Sequence, residues 1–304
     1  YEKELTNLIQ GLSMHECSTI ILKKVGKSRE PYRVFLRPIR NKMQDTQKSI
    51  ELYLNENKPL NHSIMIHSID EIIKPLMIVY DSLCAVKCNV IANGSVLNLL
   101  RRAYSFGINL AKLDIRQDAS RHQKLLNTIC VHLGLGNFND WSEKKKISFL
   151  SKEYQSKRPL IPHNLSLGEQ DAETWSTFKM IAKIPKECLG AYVISMANSV
   201  SDILAVMFLQ KEAGVKSFLR VVPLFETLSD LQNAHIIIRD LYNISWYLKL
   251  FNHYQEVMIG YSDSSKDAGK LAASWAQYCA QEQLQNISNL YKVELTLFHG
   301  RGGS

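Results

Sequence analysis

The chain has 304 residues, 45% of them hydrophobic and 22% charged, with 14 Gly and 8 Pro. That composition supplies a substantial core and excludes disordered, collagen-like and low-complexity scaffolds. Its most apolar runs, such as Ile72 to Val79, are interrupted by Lys74 and Pro75, well short of the roughly 18 unbroken apolar residues of a membrane helix, so no membrane association is expected. The formal charge is 37 − 29 = +8, and much of it is local: Lys23 to Lys42 holds eight basic residues against Glu30, and Glu143 to Arg158 holds six against two. No RRM, KH or zinc-finger pattern accompanies these runs; solvated helix faces and small-anion sites are the plainer reading, and a basic nucleic-acid-binding module is its rival.

The chain opens on Tyr1 inside an amphipathic pattern (Leu5, Leu8, Ile9, Leu12) with no charged-then-apolar signal in front. It closes on the glycine-rich Phe298-His299-Gly300-Arg301-Gly302-Gly303-Ser304, and both ends read as cuts in a longer chain. Residues 1–110 read as a mainly helical region, with apolar spacings of three and four from Ile64 to Lys87 and from Ser95 to Leu110. Six scattered cysteines form no CxxC pair, so zinc and redox sites are not expected and a reducing cytoplasm is the simplest setting. Cys84 and Cys88, four apart, are expected on one helix face as small buried residues.

From residue 111 to 304 the pattern changes to short apolar runs that end in polar or charged residues. They are Leu113 to Arg116, Ala191 to Met196, Arg220 to Glu226, Glu256 to Asp263 and Glu294 to Arg301. The last four recur about every 30 to 37 residues with helical stretches between them (Ser199 to Ala213, Asp230 to Leu241, Lys266 to Gln285), the rhythm of βα units. The first gap, about 78 residues, takes in the second basic run and a polar loop near Pro159 to Gln170. Strands whose C-terminal ends carry Arg, Glu, Asp and Arg fit a (β/α) barrel with its chemistry on that face. A dinucleotide or P-loop sheet fits less well, because neither glycine cradle is present.

Glu226 and Asp263, at the ends of neighbouring strand candidates, suit one hard cation such as Mg²⁺ or Mn²⁺. Arg116 and Arg301 would offer planar forks to a phosphate or carboxylate. Ordinary roles compete with this reading: Arg116 could pair with Asp118, Glu226 could cap the following helix, and Asp263 could cap a helix starting near Lys266.

Six stretches, in order, resemble the phosphoenolpyruvate carboxylase family. They are Glu30-Pro31-Tyr32-Arg33; Leu113-Asp114-Ile115-Arg116-Gln117 with Arg121-His122; Tyr192-Val193-Ile194-Ser195-Met196-Ala197; Val222-Pro223-Leu224-Phe225-Glu226-Thr227-Leu228; Met258-Ile259-Gly260-Tyr261-Ser262-Asp263-Ser264 with Lys266-Asp267-Ala268-Gly269; and Phe298 to Gly303. The resemblance implies an α/β, predominantly helical fold that is part of a (β/α)8 TIM-type barrel with large helical additions, residues 1–110 and 111–304 both belonging to one larger catalytic domain. It implies a cytoplasmic, allosteric homotetramer that carboxylates phosphoenolpyruvate with bicarbonate to give oxaloacetate and phosphate, with no nucleic-acid or membrane partner. Carried over by position, Glu226 and Asp263 are metal ligands for Mg²⁺ or Mn²⁺. Arg116 and Arg301 hold phosphate or bicarbonate, Lys266 and His299 join them as catalytic residues, and Gly300 and Gly302 bring backbone to the anion.

Departures from the family pattern are Asp118-Ala119-Ser120, Val200 and Ser265, none of them a ligand. The family's histidine segment is expected before Tyr1 and its second glycine-rich run after Ser304, so the chain alone is expected to be inactive and the loop from His299 to Ser304 mobile. Another metal-dependent barrel that uses phosphoenolpyruvate remains the enzyme alternative.

Overall fold

In a computed structural model of the chain, residues 1–56, 58–61, 63–162 and 165–300 are described. They divide into two compact units, Tyr1–Ala111 and Lys112–Ser304.

The first unit is helical: α1 (Glu2–Gly11), α2 (Thr19–Val25), α3 (Pro31–Glu56), α4 (Asp70–Ala85), the single turn α5 (Asn89–Ile91), a wide turn at Ala92–Val96 and α6 (Leu97–Phe106). Leu5, Leu8, Ile21, Tyr32, Leu36, Leu76, Val79, Leu83 and Leu100 meet in its core. Pro31 starts α3, where a missing N–H costs nothing. The periodic stretches were longer than the helices they encode. α4 begins only at Asp70, and α6 ends at Phe106 because Gly107 turns the chain at φ +57°. Cys84 and Cys88 do not share a helix: α4 ends at Ala85, Lys87 takes φ +62°, and Cys88 starts α5, although both thiols are half-buried against the core.

Two members of the first basic run, Arg33 and Lys42, serve the fold. Arg33 donates to the carbonyls of Ile9 (2.9 Å) and Gln10 (2.5 Å) and pairs with Glu30. Lys42 pairs with Glu71. In the second unit Lys145 lies 3.9 Å from the centre of the Trp141 ring.

The second unit is an α/β body. Its parallel strands are β1 (Leu113–Asp118), β2 (Leu189–Ser195), β3 (Arg220–Phe225), β4 (Tyr254–Gly260) and β5 (Glu294–Gly300), hydrogen-bonded in the order β1-β2-β3-β4-β5. A doubly wound sheet reverses its strand order at a switch point. This sheet never does, and consecutive addition of parallel strands is the order of a (β/α) barrel. The long first crossover is filled by α7 (Ala119–His132), α8 (Glu143–Gln155) and α9 (Glu169–Lys183). Then follow α10 (Val200–Glu212), α11 (Leu228–Tyr242), α12 (Ser245–Leu250), α13 (Ser262–Ala268) and α14 (Lys270–Tyr291). The helix after β4 therefore starts at Ser262, not near Lys266, and breaks at Gly269, whose φ of +75° no side chain adopts cheaply.

Every residue of α10 from Val200 to Gln210 is buried. Its apolar residues surround the whole helix instead of one stripe, so it has no solvent face and packs between α7, α8, α9 and β3. Each fully buried Val, Leu, Ile or Phe there contributes about 1.5–3 kcal/mol. On the other face of the sheet Ala191, Val193, Val222 and Leu224 form a separate small cluster with Met258. This is the inner surface above which the strand ends carry their charged groups. Among the described residues no helix is long and apolar enough to cross a membrane.

His122, on α7, is fully buried with its Nε2 2.8 Å from the Tyr192 hydroxyl and its ring edge-on to Phe178. Burial lowers its pKa from 6.5 to about 3, weakly opposed by Asp118, so the ring stays neutral near pH 7. Below pH 6.5 the unfolded chain takes up a proton that the folded chain refuses until about pH 3, and stability falls with pH through that window. The loss expected from this residue is about 1 kcal/mol between pH 6.5 and about pH 5.5. His122→Phe is expected to flatten that part of the curve in urea titrations; an unchanged slope would show that the ring titrates without unfolding.

Candidate active site

The C-terminal ends of the five strands bring most of the expected residues to one edge of the sheet. Arg116 lies inside β1 and reaches past the end of β2 to Glu226, with Nη2 3.5 Å from Oε2. Glu226 sits one residue beyond β3 and is 7% exposed. Asp263 lies in the first turn of α13, three residues past β4, and is exposed. Lys266 Nζ is 3.0 Å from Asp263 Oδ1. The ordinary roles considered for these groups belong to other residues. Asp118 caps α7 by accepting from Ser120 N, and the Thr227–Asp230 capping box starts α11.

Glu226 and Asp263 act on each other. Burial raises the pKa of Glu226, Arg116 opposes that rise, and the charge and hydrogen bond of Asp263 reinforce it. Asp263 is held below its ordinary value, chiefly by its hydrogen bond to Lys266. Of the two carboxyls, Glu226 is the weaker acid. Two converging carboxylates that need positive charge between them form a hard-oxygen donor set, which suits Mg²⁺ or Mn²⁺. Among the described residues no group of three or more His, Cys, Asp or Glu gathers to hold a metal, so of the described residues only these two would serve such a site.

The backbone explains how Glu226 comes to lie there. A Cβ at Gly260 would stand 2.5 Å from Glu226 Cβ and 3.0 Å from its Cα, so only glycine lets the end of β4 approach so closely. Ser264, fully buried, lies 2.5 Å from the Glu226 carbonyl oxygen and 2.9 Å from that of Gly260. Asp230 accepts from the N–H of Thr227 at 3.0 Å and from that of Glu226 at 3.4 Å, and Asp267 accepts from Leu228 N at 2.9 Å.

On β5, His299 stands in register with Ile259, and its Nδ1 is 2.5 Å from the Tyr261 hydroxyl. Gly300 is in register with Gly260, and a Cβ on it would meet the Met258 methyl at 2.9 Å. Arg301 and Gly302, with the remainder of the loop expected to be mobile, lie outside the described residues. Sequence reasoning quoted Gly260, Tyr261, Ser264 and Asp267 as parts of a motif without giving them work. The signal was a glycine at the very end of an apolar strand run, where a side chain is normally retained.

These features define a class: a parallel α/β chain of barrel strand order, with carboxylates and an arginine gathered at its strand ends. The family model for phosphoenolpyruvate carboxylase matches residues 2–304. Proteins named phosphoenolpyruvate carboxylase from Shewanella loihica and Shewanella oneidensis are each 47% identical to it, over 100% and 99% of this chain. One from Actinobacillus pleuropneumoniae is 45% identical over 99%. The chain spans about a third of the length of these relatives (35%, 34% and 34%). It belongs to the phosphoenolpyruvate carboxylase family. That membership favours neither the nucleic-acid module nor a different phosphoenolpyruvate-using barrel.

Gly260→Ala is expected to destabilise the second unit by about 1–3 kcal/mol, because the added methyl must displace the Glu226 backbone. Gly11→Ala, where a Cβ meets nothing within 4 Å, should change stability by less than about 1 kcal/mol. Equal urea midpoints for Gly260→Ala and the parent chain would show that the close approach is not a constraint.

Proposed function

We propose that the whole protein carrying this chain converts phosphoenolpyruvate and bicarbonate to oxaloacetate and phosphate, as a cytoplasmic homotetramer under allosteric control. In this reading the chain alone, a third of the length of its relatives, does not carry out the reaction, and both of its units belong to one larger catalytic domain. The observation that carries the proposal is the meeting of Arg116, Glu226 and Asp263, which come from three separate βα units.

Glu226 and Asp263 would hold the Mg²⁺ or Mn²⁺. When bound, the cation supplies Lewis-acid withdrawal of charge from the phosphoryl group and from the enolate oxygen. Arg116 and Arg301 bind the phosphate or bicarbonate oxygens through their planar forks. Arg116 already reaches Glu226, so it can serve an anion beside the cation without crossing the site. Lys266, now paired with Asp263, adds a mobile positive charge. His299, held by Tyr261, precedes Gly300 at the end of β5, and Gly300 and Gly302 would offer backbone N–H groups to the anion.

The reaction that family membership implies would draw on this charge placement. A bicarbonate oxygen attacks phosphorus, the bond from phosphorus to the enol oxygen breaks, and carboxyphosphate and the enolate of pyruvate result. Carboxyphosphate then releases CO₂ and phosphate, and the enolate carbon forms the new carbon–carbon bond to CO₂. Fixed positive groups stabilise the charge that passes from phosphoryl oxygens to enolate, and exclusion of water protects carboxyphosphate from hydrolysis.

The deciding experiment is a bicarbonate-dependent oxaloacetate assay on the whole protein. In it, Glu226→Gln and Asp263→Asn are each expected to raise the Mn²⁺ concentration needed for half activation by at least about tenfold. An unchanged requirement in both variants would remove them as ligands.

Arg116→Lys keeps the charge but loses the fork, and a loss of about 10²-fold or more in kcat/KM for phosphoenolpyruvate is expected. Parent-like kinetics would reduce Arg116 to a structural partner of Glu226.

A further inference from the structure

The cation reading leaves open what keeps Glu226 at a working distance from Asp263, since the two come from different βα units and Asp263 is on the surface. Three groups act on the Glu226 backbone. Its N–H and that of Thr227 point to Asp230 Oδ2, while its carbonyl faces the Ser264 hydroxyl at 2.5 Å. Both peptide planes flanking the Glu226 Cα are thereby tied, which sets the direction of its Cα–Cβ bond. The third group is Gly260, whose missing side chain leaves room for the Glu226 Cβ.

Ser264 is the residue after Asp263, fully buried in the same helix turn. A serine hydroxyl has one proton to donate. The Gly260 carbonyl has a second donor, Gln277 Nε2 at 3.0 Å, whereas no other hydrogen bond to the Glu226 carbonyl is found among the described residues. Ser264 is thus the one donor found for the Glu226 carbonyl among the described residues, while it also lies within reach of the Gly260 carbonyl. Its neighbour Ser265 provides a contrast: its hydroxyl makes an ordinary bond back to the Tyr261 carbonyl at 3.0 Å, within its own helix, and is exposed.

We propose that Ser264 is a positioning residue for divalent-cation binding, its buried hydroxyl tying the Glu226 backbone to the helix turn that carries Asp263 across the opening left by Gly260. The proposal rests on the reading of Glu226 and Asp263 as the cation-binding pair. Ser264 touches neither cation nor substrate; it sets the separation of the two carboxylates.

The test uses the full-length protein and Mn²⁺ alone, with binding followed by the loss of the free Mn²⁺ signal in electron paramagnetic resonance, so that no turnover is needed. Ser264→Ala is expected to weaken Mn²⁺ binding by about 10–100-fold, the usual cost of removing a group that orients a ligand, with kcat at saturating Mn²⁺ falling far less than the affinity. Ser265→Ala is expected to bind Mn²⁺ as the parent does. Parent-like Mn²⁺ binding by folded Ser264→Ala overturns the proposal, as does an equal loss in both serine variants, which would mark a general weakening of α13.

If Ser264→Ala does not fold, Ser264→Cys keeps the volume and offers only a weak donor. It is expected to lose affinity in the same sense, and tight binding by the folded variant counts against the proposal. Glu226→Gln is measured in parallel. If it binds Mn²⁺ like the parent, the cation-site reading falls and the proposal with it. If Glu226→Gln loses binding while Ser264→Ala retains it, only the positioning role of Ser264 is refuted.

Discussion

The backbone of β4 passes against Glu226 so closely that a single methyl group on Gly260 would stand 2.5 Å from the Glu226 Cβ. The arrangement of the strand ends depends on that contact. It lets a buried carboxylate from the end of β3 face an exposed one from the turn after β4, and it places the Ser264 hydroxyl on the Glu226 carbonyl. A parallel sheet spaces neighbouring strands at about 4.8 Å, too far for two backbones to share a side-chain site unless one of them gives up its Cβ. The glycine is where the fold yields to the site.

Electrostatics then takes over from packing. A nearly buried carboxylate next to a second one is costly, and the chain meets the cost by surrounding the pair with Arg116 and Lys266 from opposite sides. The two cations are not equivalent. Arg116 reaches the buried partner with a planar group that keeps its charge under all conditions, while Lys266 holds the exposed partner within one helix turn, where water weakens the pair. Such an arrangement would suit the proposed role, in which the site takes both a dication and a phosphorylated acid.

Much of this was legible in the linear sequence. The four later strand runs fall within a few residues of the observed strands; for β2 and β3 the reason is that a buried parallel strand is a short continuous apolar run, while β5 is largely exposed. Most of the basic residues in the two runs are exposed, as a solvated face requires, with exceptions in the first run. Arg33 and Lys42 looked like a charged surface, yet they are occupied by carbonyls and a glutamate that only the folded unit brings to them. Cys84 and Cys88 have helical spacing, but spacing does not reveal that Lys87 turns the chain between them at positive φ.

Sequence by itself determined the fold class, the order of the βα units, the family and the identities of the charged groups at the strand ends, since each is written in local patterns of apolar run, glycine and carboxylate. Tertiary structure alone decided which of those groups meet. Arg116 and Glu226 are 110 residues apart in the chain, and Ser264 bonds a carbonyl 38 residues away. Such contacts depend on the lateral stacking of strands and the pitch of one helix turn against another. These distances are set by the packing of the whole sheet, and no local pattern records them.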